Sequence, residues 1–165
     1  MELRVTTPSS GDILLQKKGG IGELTGTVPL LSNGRYKVYI RGAITKRVYD
    51  TNTVTVKIPP ARPSGLSAKA SGTTISVNWN RGSERDLSGY TVSAGEAGSK
   101  SGSDGSLCSG SNCSTTLSVP SGTSGSVPIT VRAKRSDGLG GSISSGTAST
   151  SVSVAPPAPS GGTGT

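Results

Sequence analysis

The sequence predicts an all-β fold built from small layered modules, and three observations carry that prediction. Apolar residues recur at a spacing of two along most of the chain, as Ile75, Val77 and Trp79 do against Ser76, Asn78 and Asn80. The periodic stretches are short and are separated by Gly, Ser, Pro and Asn turn signals. Large side chains are scarce: among 165 residues there is no Phe, one Trp and four Tyr. Such a set cannot fill one thick core, whereas several thin β-layers need no more than this. The regular recurrence also argues against disorder everywhere except the C-terminal tail.

In residues 1–60 each element follows from this period. Leu3 and Val5 alternate up to a break at Thr7-Pro8-Ser9-Ser10-Gly11, and Ile13 to Gln16 form a short apolar run before the basic turn Lys17-Lys18-Gly19-Gly20. Leu24 and Val28 flank Thr25-Gly26-Thr27 as a further short strand, and Ser32-Asn33-Gly34 is a hairpin signal. In RYKVYIRG, Tyr36, Val38 and Ile40 face one way while Arg35, Lys37, Tyr39 and Arg41 face the other. VYDTNTVTVKI closes the segment with Val54, Val56 and Ile58 on one face.

Pro59, Pro60 and Pro63 mark a short, stiff junction, because adjacent prolines fix φ and favour extended backbone. Beyond it, GLSAKASG places Leu66, Ala68 and Ala70 inward. Two central strands follow, one through Ile75, Val77 and Trp79, the other through Tyr90, Val92 and Ala94, joined by the charged loop Arg81–Leu87. GEAGSKSGSDG reads as a long loop or a poor edge strand. Leu117 and Val119 alternate, then Val127, Ile129, Val131 and Ala133, and a last strand runs through Ala148, Val152 and Val154. The predicted core is Trp79, Tyr90, Ile75, Val77, Val92, Ile129 and Val131. APPAPSGGTGT has no apolar period, so residues 156–165 read as a Pro/Gly/Thr-rich linker.

The Trp, the short acidic loop and the run Asp86-Leu87-Ser88-Gly89-Tyr90-x-Val92 resemble the second and third strands of a fibronectin type III domain, and the likeness extends over residues 61–155. TTPSSG, GTVPLLSNGRYKVYIRG and TVTVKIPPA resemble strands of bacterial immunoglobulin-like repeats. The resemblances imply two tandem immunoglobulin-like β-sandwich modules, the first over residues 1–60 in reduced form and the second fibronectin type III. Val127 stands where the second family carries its corner tyrosine, so that tertiary hydrogen bond is missing. The same resemblance gathers three loops at one end, Arg81–Leu87, Cys108–Cys113 and Lys134–Gly141. That candidate loop pole displays Arg81, Arg85, Lys134, Arg135 and Asp137, with Glu84 and Asp86 among them. Solvated loops are the plainer reading of it, and the family's Arg-Gly-Asp integrin signal is absent.

The chain carries 17 basic and 9 acidic residues, a net charge of +8, with the excess spread along its length. Such a charge suits contact with polyanions and equally serves solubility. The sharper basic feature is the strip Arg35, Lys37, Tyr39 and Arg41, joined by Lys46 and Arg47. An aromatic among cations fits stacking or polyanion contact, and a solvated sheet face covered by Lys and Arg stems fits it as well. Cys108 and Cys113 are the two cysteines, and a small disulfide loop, a reduced pair or a redox or metal role are the alternatives. With no His and no further Cys, the pair cannot complete a zinc site. A disulfide would place the protein outside the cytosol.

Catalysis is not expected. The usual general base is missing because there is no His, and Glu84 and Asp86 lie beside Arg81 and Arg85, an arrangement for ion pairing. No phosphate loop, dinucleotide fingerprint or nucleophile elbow occurs, and SGSDGS lacks the carboxylates of a calcium loop. No cofactor or metal is called for. Asn112-Cys113-Ser114 matches a glycosylation sequon, a pattern that also arises by chance. No run is long enough to span a membrane, Met1-Glu2-Leu3 enters a strand pattern at once, and the abrupt Gly-Thr end suggests a piece of a longer protein. The expected function is a non-catalytic structural or adhesion module of a secreted or wall-associated bacterial protein. The alternatives are a basic module binding anionic polymer or glycan and an accessory domain of an extracellular polysaccharide-degrading enzyme. Partners would be a protein or a cell-wall polymer; nucleic acid is disfavoured without exposed aromatics or a known motif, and membrane contact would come through other segments.

Overall fold

The structure is a computed structural model that describes residues 1–20, 22–29 and 32–156. The linker expected at 156–165 lies, apart from its first residue, outside the described residues. Among those described, every sheet is antiparallel and the chain is all-β apart from two single helical turns, Gly95–Ala97 and Asp104–Leu107. Contacts group it into two units. Unit 1 contains Met1–Pro59, Glu84–Asp86 and Arg135–Ile143, and unit 2 contains Pro60–Ser83, Leu87–Lys134 and Ser144–Thr165.

Unit 1 is organised on one four-stranded sheet. Its strands are β1 (Glu2–Thr7), β2 (Gly11–Lys17), β3 (Gly34–Arg41) and β4 (Val48–Val56), in the spatial order β2-β1-β3-β4. The alternation of β1 and β3 matches across the ladder, with Val5 opposite Val38 and Leu3 opposite Ile40. One face therefore collects the apolar side chains, among which Leu3, Val5 and Tyr36 are buried. The opposite face collects Glu2, Arg4, Lys37, Tyr39 and Arg41.

Two expectations in this unit are corrected. Residues 23–29 form no strand. Their backbone turns to side chains instead of a ladder: the Thr25 amide donates to Gln16 Oε1 at 2.6 Å, and Gly26 packs so closely on Leu15 that a Cβ there would lie 2.8 Å from the leucine Cβ. Nor does Ser32-Asn33-Gly34 form a hairpin turn. Asn33 is only 2% exposed, and its side chain serves Ile58, 25 residues away. Gly34 opens β3 at φ +132°, a conformation favouring glycine, with Pro8 lying where a Cβ would project.

Unit 2 is built on two facing sheets. One orders β5 (Ser64–Ser71), β6 (Thr74–Asn80), β10 (Asn112–Ser118) and β9 (Cys108–Ser109) as β5-β6-β10-β9. The other orders β12 (Ser142–Ser144), β11 (Gly125–Ser136), β7 (Leu87–Ala94) and β8 (Ser99–Ser103) as β12-β11-β7-β8, with β13 (Ala148–Val154) paired to β11; the last two residues of β11 and the first two of β12 group with unit 1. This division of strands is that of a fibronectin type III-like sandwich. The stretch read as a loop or poor edge supplies β8 and the one-turn helix α1 (Asp104–Leu107).

The core of unit 2 follows the period-two pattern. Ile75, Val77, Val92, Ile129 and Val131 are each 0% exposed, and Trp79 and Tyr90 1%. The two rings meet edge to face, with centroids 5.3 Å apart. Val127 is buried as well.

Candidate functional site

The charged face of unit 1 is made by strand register. Pairing of β1 with β3 sets Glu2 opposite Arg41 and Arg4 opposite Tyr39, while pairing with β2 sets Thr6 opposite Asp12. Glu2 is 4% exposed and accepts from Arg41 Nε at 2.7 Å, Lys46 Nζ at 3.2 Å and Arg4 Nη1 at 3.4 Å. The hydrogen bond from Arg41, aided by Lys46, holds its carboxyl at a pKa of about 2. Asp12 accepts from Tyr39 Oη at 2.7 Å and Arg4 Nε at 2.8 Å. Partial burial opposes its ionisation, but those two bonds outweigh the burial and lower its pKa.

The strip Arg35, Lys37, Tyr39, Arg41 thus divides into two halves. Tyr39 and Arg41 are half-buried and engaged with Asp12 and Glu2. Arg35 and Lys37 are exposed, and among the described residues neither has a carboxylate partner. Their ladder neighbours are threonines: Thr55 beside Arg35, and Thr6 and Thr53 on either side of Lys37. The sequence alone does not place Glu2 and Asp12 on this face. The acidic residues of β1 and β2 supply no local signal of which strand they will meet.

A second cluster in unit 1 surrounds Asn33. The Asn33 amide N–H donates to Asp86 Oδ2 at 3.2 Å, and its side-chain Nδ2 donates to the carbonyls of Ile58 and Ser136, each at 2.9 Å. Arg135 is 5% exposed and pairs through Nε with Asp86. Asp137 accepts from the Leu139 and Gly141 amides, each at 2.8 Å, which lower its pKa, and lies 3.6 Å from Lys57 Nζ. Of the loop-pole residues here, Arg135 and Asp137 are consumed in internal bonds, whereas Arg85 is exposed.

In unit 2, Arg81 is the hub of a smaller arrangement. Its guanidinium pairs with Asp104 at the start of α1, with Nε 3.1 Å from Oδ1, and its own amide N–H reaches the Ser111 carbonyl at 2.9 Å. Ser111 lies in the turn of the hairpin that Cys108 and Cys113 close. The two cysteines stand opposite each other in the β9–β10 ladder and are disulfide-bonded. Lys134 is half-buried on β11.

The depression beside this hairpin, about 720 Å³, is lined by Asn78, Ser106, Leu107, Ser109, Asn112 and Ser114 together with the cysteines and Gly105. It offers hydroxyls and amides but no ring to stack on a sugar and no charge to hold an ion. Among the described residues no three His, Cys, Asp or Glu side chains gather as a metal cluster, and no helix is long and apolar enough to cross a membrane.

No protein-family model and no curated relative matches the chain. Solved structures are similar to it in fold. The Clostridium perfringens spore cortex lytic enzyme SleM is 24% identical with a TM-score of 0.43, over 59% of this chain and 29% of that one. The FN1-FN3 domains of chicken CNTN1 are 14% identical with a TM-score of 0.45, over 93% of this chain and 55% of theirs. Domains d3-d4 of the rat CD45 extracellular region are 19% identical with a TM-score of 0.46, over 90% of this chain and 85% of theirs. The chain therefore spans under a third of the lytic enzyme and about half of the CNTN1 fragment.

Proposed function

We propose that the chain is a non-catalytic structural module, a spacer or adhesion element of a secreted or cell-wall-associated bacterial protein. In this reading an immunoglobulin-like module over residues 1–60 precedes a fibronectin type III module over 61–155 and a linker over 156–165. One observation carries it. The charged groups that could have formed a reactive centre are spent on fixing strands and loops: Glu2 on Arg41, Lys46 and Arg4, Asp86 on Arg135, and Asp104 on Arg81. Such pairs commit these carboxylates to internal contacts, which suits scaffolding. The Cys108–Cys113 disulfide fits an oxidising, extracellular setting.

A second reading is favoured by the outer half of the β3 strip. Arg35 and Lys37 project among Thr6, Thr53 and Thr55 without a carboxylate, a surface that could take an anionic polymer. The experiment that separates the two readings measures binding to a polyanion, duplex DNA, purified cell wall and a neutral polysaccharide. It is run at low and at physiological salt, beside an Arg35→Ala/Lys37→Ala variant. The spacer reading expects no binding that survives physiological salt. Binding that survives and is lost in the variant would replace it with the polymer-binding reading.

A further inference from the structure

The far edge of β4 is the least protected backbone in unit 1. The strand runs nine residues, Val48–Val56, and is paired on one side with β3. Among the described residues no strand lies on its other side, and eight of its nine residues are exposed. It contains no Pro and no Lys, two of the usual guards of an exposed edge, is rich in Val and Thr, and its one bulge, at Tyr49, lies before the regular stretch Asp50–Val56.

The direction of its free groups is visible. The amide of Thr51 donates to Asp50 Oδ1 at 2.7 Å, and the amide of Thr53 to Asn52 Oδ1 at 2.8 Å. Each is a bond to the preceding side chain, so neither amide is engaged with β3. Since successive backbone groups point to opposite edges, Thr51, Thr53 and Thr55 present their N–H and C=O outward. The side chains of Asp50 and Asn52 are stand-ins for a missing strand.

We propose that this edge pairs antiparallel with β4 of a second copy of the chain, about a two-fold axis at Thr53, giving one sheet that continues from copy to copy. A two-fold normal to the sheet keeps side chains on their own face, so opposed positions must sum to an even number. Centring on Asn52 would set Thr55 against Tyr49, where a bulge interrupts the strand. Centring on Thr53 avoids this. It sets Thr53 against Thr53, and Thr51 against Thr55, so the three outward-facing threonines meet only one another. Three such pairs exchange about six backbone hydrogen bonds. The facing threonines form the hydroxyl pairs that favour antiparallel ladders. Lys37, beside Thr53 on β3, lies about 14 Å from its counterpart, three strand spacings, beyond the screening length at physiological salt.

The proposal makes salt a promoter of association, because each chain carries +8 and screening weakens that repulsion. Polyanion binding has the opposite dependence. The test is sedimentation equilibrium over a wide concentration range, at low and at physiological salt, on the wild-type chain and on Thr53→Pro and Thr53→Lys. Proline removes the outward N–H together with the Thr53 hydroxyl, and lysine puts like charges at the axis while keeping the backbone N–H.

Wild-type mass should rise from 16.4 kDa toward twice that value with concentration, at lower concentrations in higher salt. Both variants should weaken association by about tenfold or more, and Thr53→Lys, at an exposed position, should keep the wild-type unfolding transition. A wild-type chain that stays monomeric throughout would overturn the proposal. So would assemblies growing past the dimer, or a folded Thr53→Lys variant that associates as the wild type does.

Discussion

Asn33 and Ile58 bond to each other as if they were neighbours in a ladder. The Asn33 side chain donates through Nδ2 to the Ile58 carbonyl at 2.9 Å and accepts through Oδ1 from the Ile58 amide at 2.7 Å. One side-chain amide closes both backbone groups of a residue that follows β4, and a second donation ties it to Ser136. Asn33→Ala should lower unit 1 stability by about 1–3 kcal/mol, the cost of polar groups left without partners. Asn33→Asp should do no better, because a carboxylate cannot donate to the Ile58 and Ser136 carbonyls. Urea denaturation of the three proteins measures this, and an unchanged midpoint in both variants would show that the bracket holds nothing.

The Asp86–Arg135 pair should be asymmetric in its importance against its neighbours. Arg135 is 5% exposed, so Asp86→Asn removes the carboxylate charge that faces a buried cation, a loss of roughly 3–5 kcal/mol. Arg85→Ala, one residue away and exposed, should be near neutral. Equal effects of the two substitutions in thermal unfolding would contradict the assignment.

Acid stability should bear the mark of Glu2. Its carboxyl titrates at about 2 in the folded chain against 4.5 for the unperturbed group, held down first by the Arg41 hydrogen bond and then by Lys46. A depressed folded pKa means that the unfolded chain binds the proton first. The stabilisation is therefore complete above about pH 4.5 and is lost as pH falls toward 2. Asp12 and Asp137, also lowered, act in the same direction. Glu2→Gln should flatten the stability–pH curve in that interval, and melting temperatures taken from pH 7 down to pH 2 would show it.

The disulfide closes a short loop across two opposed strand positions. Reducing it should cost about 2 kcal/mol by the loop-closure estimate, and the effect should appear as a lower denaturant midpoint with reductant present. Cys113 is 1% exposed, so reduction should be slow in the folded chain and fast once it opens. Identical midpoints with and without reductant would remove the hairpin from the stabilising features.

How much of this was legible in the sequence depended on distance along the chain. The Trp79 and Tyr90 strands are each written in five or six consecutive residues, and their inward faces can be read directly from the period of two. The Cys108–Cys113 bridge spans a sequence separation of five, so its geometry is nearly local. The carboxylate partners of the basic strip were not legible, because Glu2 meets Arg41 only through the β1–β3 register, 39 positions apart. The turn expected at Asn33 fails for the same reason. Its local context, Ser-Asn-Gly, is that of a turn, while the bonds that decide its conformation are to Ile58, Asp86 and Ser136.

In the proposed structural role the paired charged side chains serve the fold. Amide correlation spectra of the chain, recorded at physiological salt with and without purified cell-wall polyanion, test it residue by residue. No saturable shifts are expected. Saturable shifts clustered on Arg35, Lys37, Thr53 and Thr55 would contradict that role and make β3 a recognition surface.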